Sequence, residues 1–180
     1  MKQIMKHKIL LAACLLCVTV SAVAEDKMME YKYNRYQANE LNVDLFGSES
    51  VGQKTLDHLS GARIRDNGRL GAGAGVSYFF TRNIGVGVDA YAADVNHHFV
   101  DSASANLIVR FPLGNSGFAP YVLGGGGRQF DPTRLWFAQA GAGLEYRFCR
   151  NVGLFTDGRY VITERAPNYG LFRLGVRLAF

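Results

Sequence analysis

The residues of this 180-residue chain that could carry chemistry are a few histidines, two glycine runs and a scatter of charges. His97-His98 is a candidate metal pair, but adjacent residues on an extended chain point to opposite faces, which makes a poor chelate. His58-Leu59-Ser60 offers a base and a nucleophile without a third residue to orient the base, as an acyl-transfer triad requires. Gly71-x-Gly73-x-Gly75 and Gly124–Gly127 lack the following Lys-Ser/Thr and the strand–helix setting of a phosphate cradle. Glycines on the inner face of a narrow strand structure make room, and a glycine run can bend a strand. The charges say more. Asp44, Asp89, Glu145 and Asp157, with Arg110, Arg147, Arg159, Arg173 and Arg177, all fall on the polar side of segments whose other side is apolar. Charged groups on an enclosed face need partners. Four acids against five bases is too even a balance for a strongly ion-selective lining. These nine residues are therefore expected to form an interior charge network. No catalytic, cofactor or metal site is assigned.

Eight alternating segments must position those charges. The first is Glu40–Phe46, with Leu41, Val43 and Leu45 on one face and Asn42 and Asp44 on the other. The others are Arg69–Phe80, Asn83–Ala93, Ser102–Leu113, Phe118–Phe130, Leu135–Phe148, Asn151–Ile162 and a terminal one ending on Phe180. Period two places one face of each in an apolar medium. The terminal segment shows it best: Phe172, Leu174, Val176, Leu178 and Phe180 alternate with Arg173, Gly175, Arg177 and Ala179. The fifth is the least regular, interrupted by Gly124–Gly127. Most of these segments exceed the roughly 5–6 residues of a soluble strand and suit the roughly 9–11 of a tilted membrane strand.

The connections alternate in character. Thr81–Asn83, Gly114–Ser116 and Cys149–Asn151 are short turns. Gly47–Gly68, Asp94–Asp101, Asp131–Arg134 and Thr163–Pro167 join the other ends, and the first is long and polar. An even-stranded barrel with both ends in the periplasm puts the three turns there and the four loops outside. Tyr78, Phe80, Phe111, Tyr121, Tyr146, Phe148 and Phe180 would then form a girdle on the lipid face at the periplasmic rim, with Trp136 and Tyr160 at the opposite rim. The inward glycines 71, 73, 75, 85, 87, 141 and 143 could leave a hydrated void, which keeps a narrow solute channel open as a reading.

The beginning of the chain agrees with export. Lys2, Lys6 and Lys8 precede an apolar run from Ile9 to Val20, then Ala22-Val23-Ala24 before Glu25, so residues 1–24 are expected to be a signal peptide. The run is about five residues short of the roughly 17 that span a bilayer as a helix. Cleavage removes three lysines and no acid, so the formal charge falls from +5 to +2, which withdraws support for a nucleic-acid partner. Cys14 and Cys17 leave with the signal and Cys149 remains alone, so no internal disulfide is expected.

On the signal peptide, the eight segments, the turn–loop alternation and the final Phe180, residues 40–180 resemble the eight-stranded outer-membrane β-barrels of the outer membrane protein A-like and opacity-protein type. That resemblance implies an all-β, transmembrane, antiparallel up-and-down barrel in the outer membrane of a Gram-negative bacterium. Residues 25–39 would be an N-terminal extension. Larger relatives carry a periplasmic peptidoglycan-binding domain after the barrel, and this sequence stops at Phe180. Phe180 would be the insertion signal read by the barrel-assembly machinery. The implied partners are outer-membrane lipids and lipopolysaccharide, with a surface ligand at the outer loops. The expected role is structural or surface-interacting and not enzymatic. A narrow porin-like channel and a lipid-modifying enzyme are the alternatives. For the latter, His58-Leu-Ser60 resembles the His-x-Ser of an eight-stranded lipid A deacylase, without that enzyme's downstream Glu.

Overall fold

A computed structural model of the chain describes residues 35–51, 54–56, 63–65, 69–92, 100–114, 116–130, 134–164 and 167–180. The expected signal peptide, residues 25–34 of the expected extension, and His58, Ser60, His97 and His98 lie outside the described residues. The strands are β1 (Glu40–Val51), β2 (Lys54–Leu56), β3 (Arg63–Arg65), β4 (Arg69–Phe79), β5 (Ile84–Ala92), β6 (Ser102–Arg110), β7 (Phe118–Gln129), β8 (Leu135–Arg147), β9 (Val152–Thr163) and β10 (Tyr169–Ala179). Eight of them close an antiparallel barrel in the order β1-β10-β9-β8-β7-β6-β5-β4, and β2 and β3 form a separate hairpin. The eight-stranded barrel expected from the alternating pattern is the fold. Closure satisfies the backbone of every wall strand by its two neighbours and leaves no edge.

The boundaries shift in two instructive places. The first segment runs past Phe46 to Val51, with Gly47 paired to both Ala72 and Leu174. Ser48, Glu49 and Ser50 break the apolar pattern, but hydrogen bonding on both sides holds the strand regardless of side-chain polarity. The first long connection therefore starts after Val51, not at Gly47. The fourth segment stops as a strand at Arg110, short of Pro112, which has no N–H to donate.

The period-two faces sort as the alternation requires. Leu41, Leu45, Val76, Val88, Leu107, Leu144, Leu174 and Phe172 are among the exposed outer residues, whereas Asn42, Asp44, Asn106, Gln139, Glu145 and Asp157 are buried inside. At the turn end the outer rings touch: Tyr78 and Phe80 at 5.2 Å, Phe118 and Tyr146 at 4.5 Å, Tyr146 and Phe148 at 5.1 Å between centroids. Tyr121 is the correction to that girdle. It is 3% exposed and its hydroxyl lies in the lumen, because β7 turns Ala119, Tyr121 and Leu123 inward and Phe118 and Val122 outward.

The space beside the inward glycines is largely taken, and on Gly73, Gly85 and Gly143 it is taken by rings. A Cβ on Gly73 would meet the Phe46 ring at 2.6 Å, on Gly85 the Phe79 ring at 2.8 Å, on Gly127 the Phe137 ring at 2.6 Å, and on Gly143 the Tyr121 ring at 2.5 Å. On Gly175 it would meet the Phe46 Cβ at 2.7 Å, the Phe155 ring at 2.8 Å and the carbonyl of Leu45. An aromatic face on a flat glycine backbone is how a narrow barrel accommodates bulky rings without spreading its strands.

A methyl group in that contact has backbone on one side and a ring on the other. Gly175→Ala is expected to destabilise the folded barrel by about 1–3 kcal/mol, as overpacking does. Urea titration of folding into lipid vesicles measures this, and an unchanged midpoint would mean the rings do not press on β10.

Candidate functional site in the barrel interior

Ten charged side chains enclosed by eight strands are the chemically distinctive feature of this molecule. The nine expected residues, Asp44, Asp89, Arg110, Glu145, Arg147, Asp157, Arg159, Arg173 and Arg177, all point inward. Glu40, 4% exposed, joins them. The sequence reading left it out, although it shares the even-numbered face with Asn42 and Asp44.

The charges form two arrays of alternating sign. In the first, Arg110 meets Glu40 at 2.8 Å, Glu40 meets Arg147 at 2.6 Å, Arg147 meets Glu145 at 2.6 Å, Glu145 meets Arg177 at 2.6 Å, and Arg177 meets Asp44 at 2.7 Å. The second is a closed ring of four. Arg173 donates to both carboxylate oxygens of Asp157, at 2.9 and 2.6 Å, and to Asp89 at 3.2 Å. Arg159 bridges the same two acids at 3.1 and 3.0 Å. The register places Asp157 directly opposite Arg173, while Arg177 is opposite Asp44 one seam further round. Tyr121 links the arrays: its hydroxyl donates to Asp157 at 2.8 Å and its ring lies 5.9 Å from the Arg177 guanidinium. With Glu40 included, the five acids and five arginines cancel.

Each guanidinium has a fork of donors that a carboxylate can match two at a time. Neutral partners take up the remaining capacity. Ser104 and Asn106 donate to Asp89 at 2.7 and 3.1 Å, and Gln139 donates to Ser104 and Asn106 at 2.8 and 2.6 Å. Toward the loop end the filling is apolar: Phe46, Tyr91, Phe137, Phe155, Val161, Tyr169 and Leu171 cluster, with the Tyr91 and Tyr169 hydroxyls 3.0 Å apart.

The turn end is closed by the residues just before β1. Tyr36, 2% exposed, sits with the Arg147 and Arg110 guanidiniums 4.6 and 4.9 Å from its ring centroid. Its hydroxyl donates to the carbonyl of Gly117 at 2.7 Å. Gly117 has a φ of +81°, a left-handed conformation that glycine adopts without strain, and this aims its carbonyl at both Tyr36 and the Arg147 amide. Arg110 donates to the Gln37 carbonyl at 3.0 Å, and Arg35 to the Arg147 carbonyl at 2.9 Å. Burial, reinforced by the nearby Glu145 carboxylate, pushes the Tyr36 hydroxyl above its ordinary range, so it remains a donor at any physiological pH. Residues 35–39, expected only as part of an extension, are thus a cap on the lumen. Residues 25–39 carry Tyr31, Tyr33 and Tyr36, and no pattern in the sequence singles out Tyr36.

Phe180 lies outside this network. It faces outward, 69% exposed, and exchanges backbone hydrogen bonds with Leu41 at 2.8 and 3.2 Å, which fastens the end of β10 to the start of β1. Among the described residues, no three His, Cys, Asp or Glu side chains are grouped so as to hold a metal ion.

Comparison with known proteins places this architecture. The sequence profile of the family described as outer membrane protein beta-barrel domain matches residues 10–180. No curated protein sequence matches the chain. Among solved structures, the N-terminal β-barrel domain of OprF from Pseudomonas aeruginosa superposes with a TM-score of 0.62 at 20% identity, over 80% of this chain and 99% of that one. A de novo designed transmembrane β-barrel gives 0.57 at 16% identity, over 80% and 98%. Neisserial surface protein A gives 0.50 at 16% identity, over 78% and 96%. At these identities the likeness is one of fold.

The four-membered ring yields a quantitative expectation. Asp157→Ala leaves Arg173 and Arg159 sharing Asp89 alone, and should destabilise the barrel by about 3–5 kcal/mol, the cost of an uncompensated buried charge. Adding Arg173→Ala should recover part of that loss. A double-mutant cycle in folding titrations measures the coupling, and strictly additive effects would show that the two side chains do not meet.

Proposed function

The chain belongs to the outer membrane protein β-barrel family, and from that premise we propose that it is a sealed barrel with a structural role, meeting partners through its outer loops. Its place is the outer membrane of a Gram-negative bacterium. The observation that carries the proposal is the unbroken filling of the lumen from Tyr36 through the two charge arrays to the Tyr91–Tyr169 contact. An eight-stranded interior is just wide enough for side chains to fill, and here each carboxylate of the arrays is held by at least one arginine. None of these five acids is left free for general acid–base work, which supports a role without catalysis.

The three short turns are assigned to the periplasm and the first loop to the cell surface, where it would present the main contact surface. Phe180, an outward aromatic on the last strand, is assigned as the residue recognised by the barrel-assembly machinery. A second reading, a narrow water path, draws on Asn42 Nδ2, Ser77 Oγ and Ser102 Oγ, which are buried with no protein partner among the described residues; such groups call for water.

Two measurements test these assignments. In planar bilayers at high salt the protein should show no conductance steps, and Tyr36→Ala should stay silent because the arrays behind it persist. Steady steps from the unaltered protein would replace the sealed barrel with the channel. For orientation, an impermeant thiol reagent on intact cells should leave native Cys149 unlabelled, while Asp57→Cys in a Cys149→Ser background should be labelled. The reverse pattern would invert the topology.

A further inference from the structure

The outer wall carries large residues over β9, β10 and β1 and is interrupted by small ones over β4 to β7. On the first side Leu45, Leu154, Phe172 and Leu174 project. On the second, Ala74, Ala90, Ala103, Ala105, Gly124 and Gly126 stand among the larger Val76, Val88 and Leu107, and the wall is hollowed between them. Near the loop end the hollow measures about 660 Å³, and it continues past Val76, Val88 and Ala105 into a second of about 430 Å³ toward Tyr78. Each is the size of a small-ligand site. Together they form a trough along the strands, in a wall that faces lipid.

The mouth of the trough has its own chemistry. Phe130 and Trp136, both large and exposed, bound it at the loop end. Arg128 stands with them, exposed, opposite Trp136 in the β7–β8 register, its guanidinium 5.5 Å from the indole ring. Of the other lining residues only Asp89 is charged, and its carboxylate is engaged inside by Ser104, Asn106, Arg159 and Arg173. The trough therefore offers an acyl-chain path ending at a cation with no carboxylate beside it among its lining residues. An indole at the membrane interface and a guanidinium suited to phosphate complete the requirements of a headgroup.

We propose that this trough binds a phosphate-bearing, multiply acylated lipid of the outer leaflet, with one acyl chain along β4–β7 and a phosphate on Arg128. The inference rests on the orientation that puts the loop end outside. A second copy of the chain is the competing occupant, since small-residue walls let membrane surfaces approach. In a two-fold contact centred on the mouth, however, Arg128 would meet its own counterpart, and like charges there oppose association.

Trp136 is the sole tryptophan of the chain, so its fluorescence reads the mouth directly. The whole protein is folded in mixed micelles containing brominated phosphatidylcholine, which quenches Trp136. Unlabelled lipid A should restore emission at a lower mole fraction than unlabelled phosphatidylcholine. Arg128→Gln should weaken that advantage about fivefold, the usual contribution of one basic residue at an anionic lipid surface. Ala105→Phe, which fills the trough from the lipid face, should abolish it, with folding checked by heat-dependent gel migration. Equal potency of the two lipids would overturn the proposal, as would a lipid A advantage untouched by Arg128→Gln. Quenching that changes on diluting the protein would assign the trough to a second copy instead. Micelles have no leaflets, so this readout stands or falls separately from the orientation.

Discussion

The interior of this barrel depends on charge neutralisation in a space too narrow for bulk water. Five guanidiniums and five carboxylates are confined there, and an isolated ion so confined would cost several kcal/mol. The alternation of sign along both arrays answers that cost, because every charge has an opposite neighbour on the next strand or across the lumen. The arrays also bind the wall crosswise. Arg147 joins β8 to β1, Arg177 joins β10 to both β1 and β8, and Asp89 joins β5 to β9 and β10. Backbone ladders tie each strand to its neighbours only. The ion pairs are what make the cross-section a defined shape.

Charge alone would not fill the lumen, and the glycines explain how the rest is done. Phe46, Phe79, Tyr121 and Phe137 each lie against a glycine of another strand. The small residue on one strand and the ring on another are therefore a single packing unit. The same device on the outside has the opposite result. Where outward positions are alanine or glycine and no protein ring covers them, the wall is left hollow. One composition bias thus tightens the inner face and sculpts the outer one.

The fold was legible because alternation is a local property. Asn42 and Asp44, or Arg173 and Arg177, reveal their side of the sheet by their spacing, and the short turns supply the register. Centring the β9–β10 connection on Arg165 suffices to put Asp157 opposite Arg173, and the barrel has that register. What was not legible depends on contacts across the lumen. Tyr121 reads as a girdle residue until β7 is known to turn it inward. Gly73, Gly85 and Gly143 read as empty space until the rings of Phe46, Phe79 and Tyr121 are placed. Tyr36 belongs to no periodic segment, so its insertion between Arg110 and Arg147 follows from neighbours that period two cannot identify.

The distribution of charge among the strands makes the first strand complementary to the rest of the barrel. β1 contributes Glu40 and Asp44 and no arginine to the arrays, while β4 to β10 contribute five arginines against Asp89, Glu145 and Asp157. An unclosed sheet of the other seven strands would therefore carry two excess positive charges on the face destined for the lumen, and the free strand would carry two negative ones. Asp44 meets Arg177 across the seam between β1 and β10, and Glu40 reaches Arg110 and Arg147 across the lumen. A slip of one residue would turn both carboxylates of β1 outward into hydrocarbon.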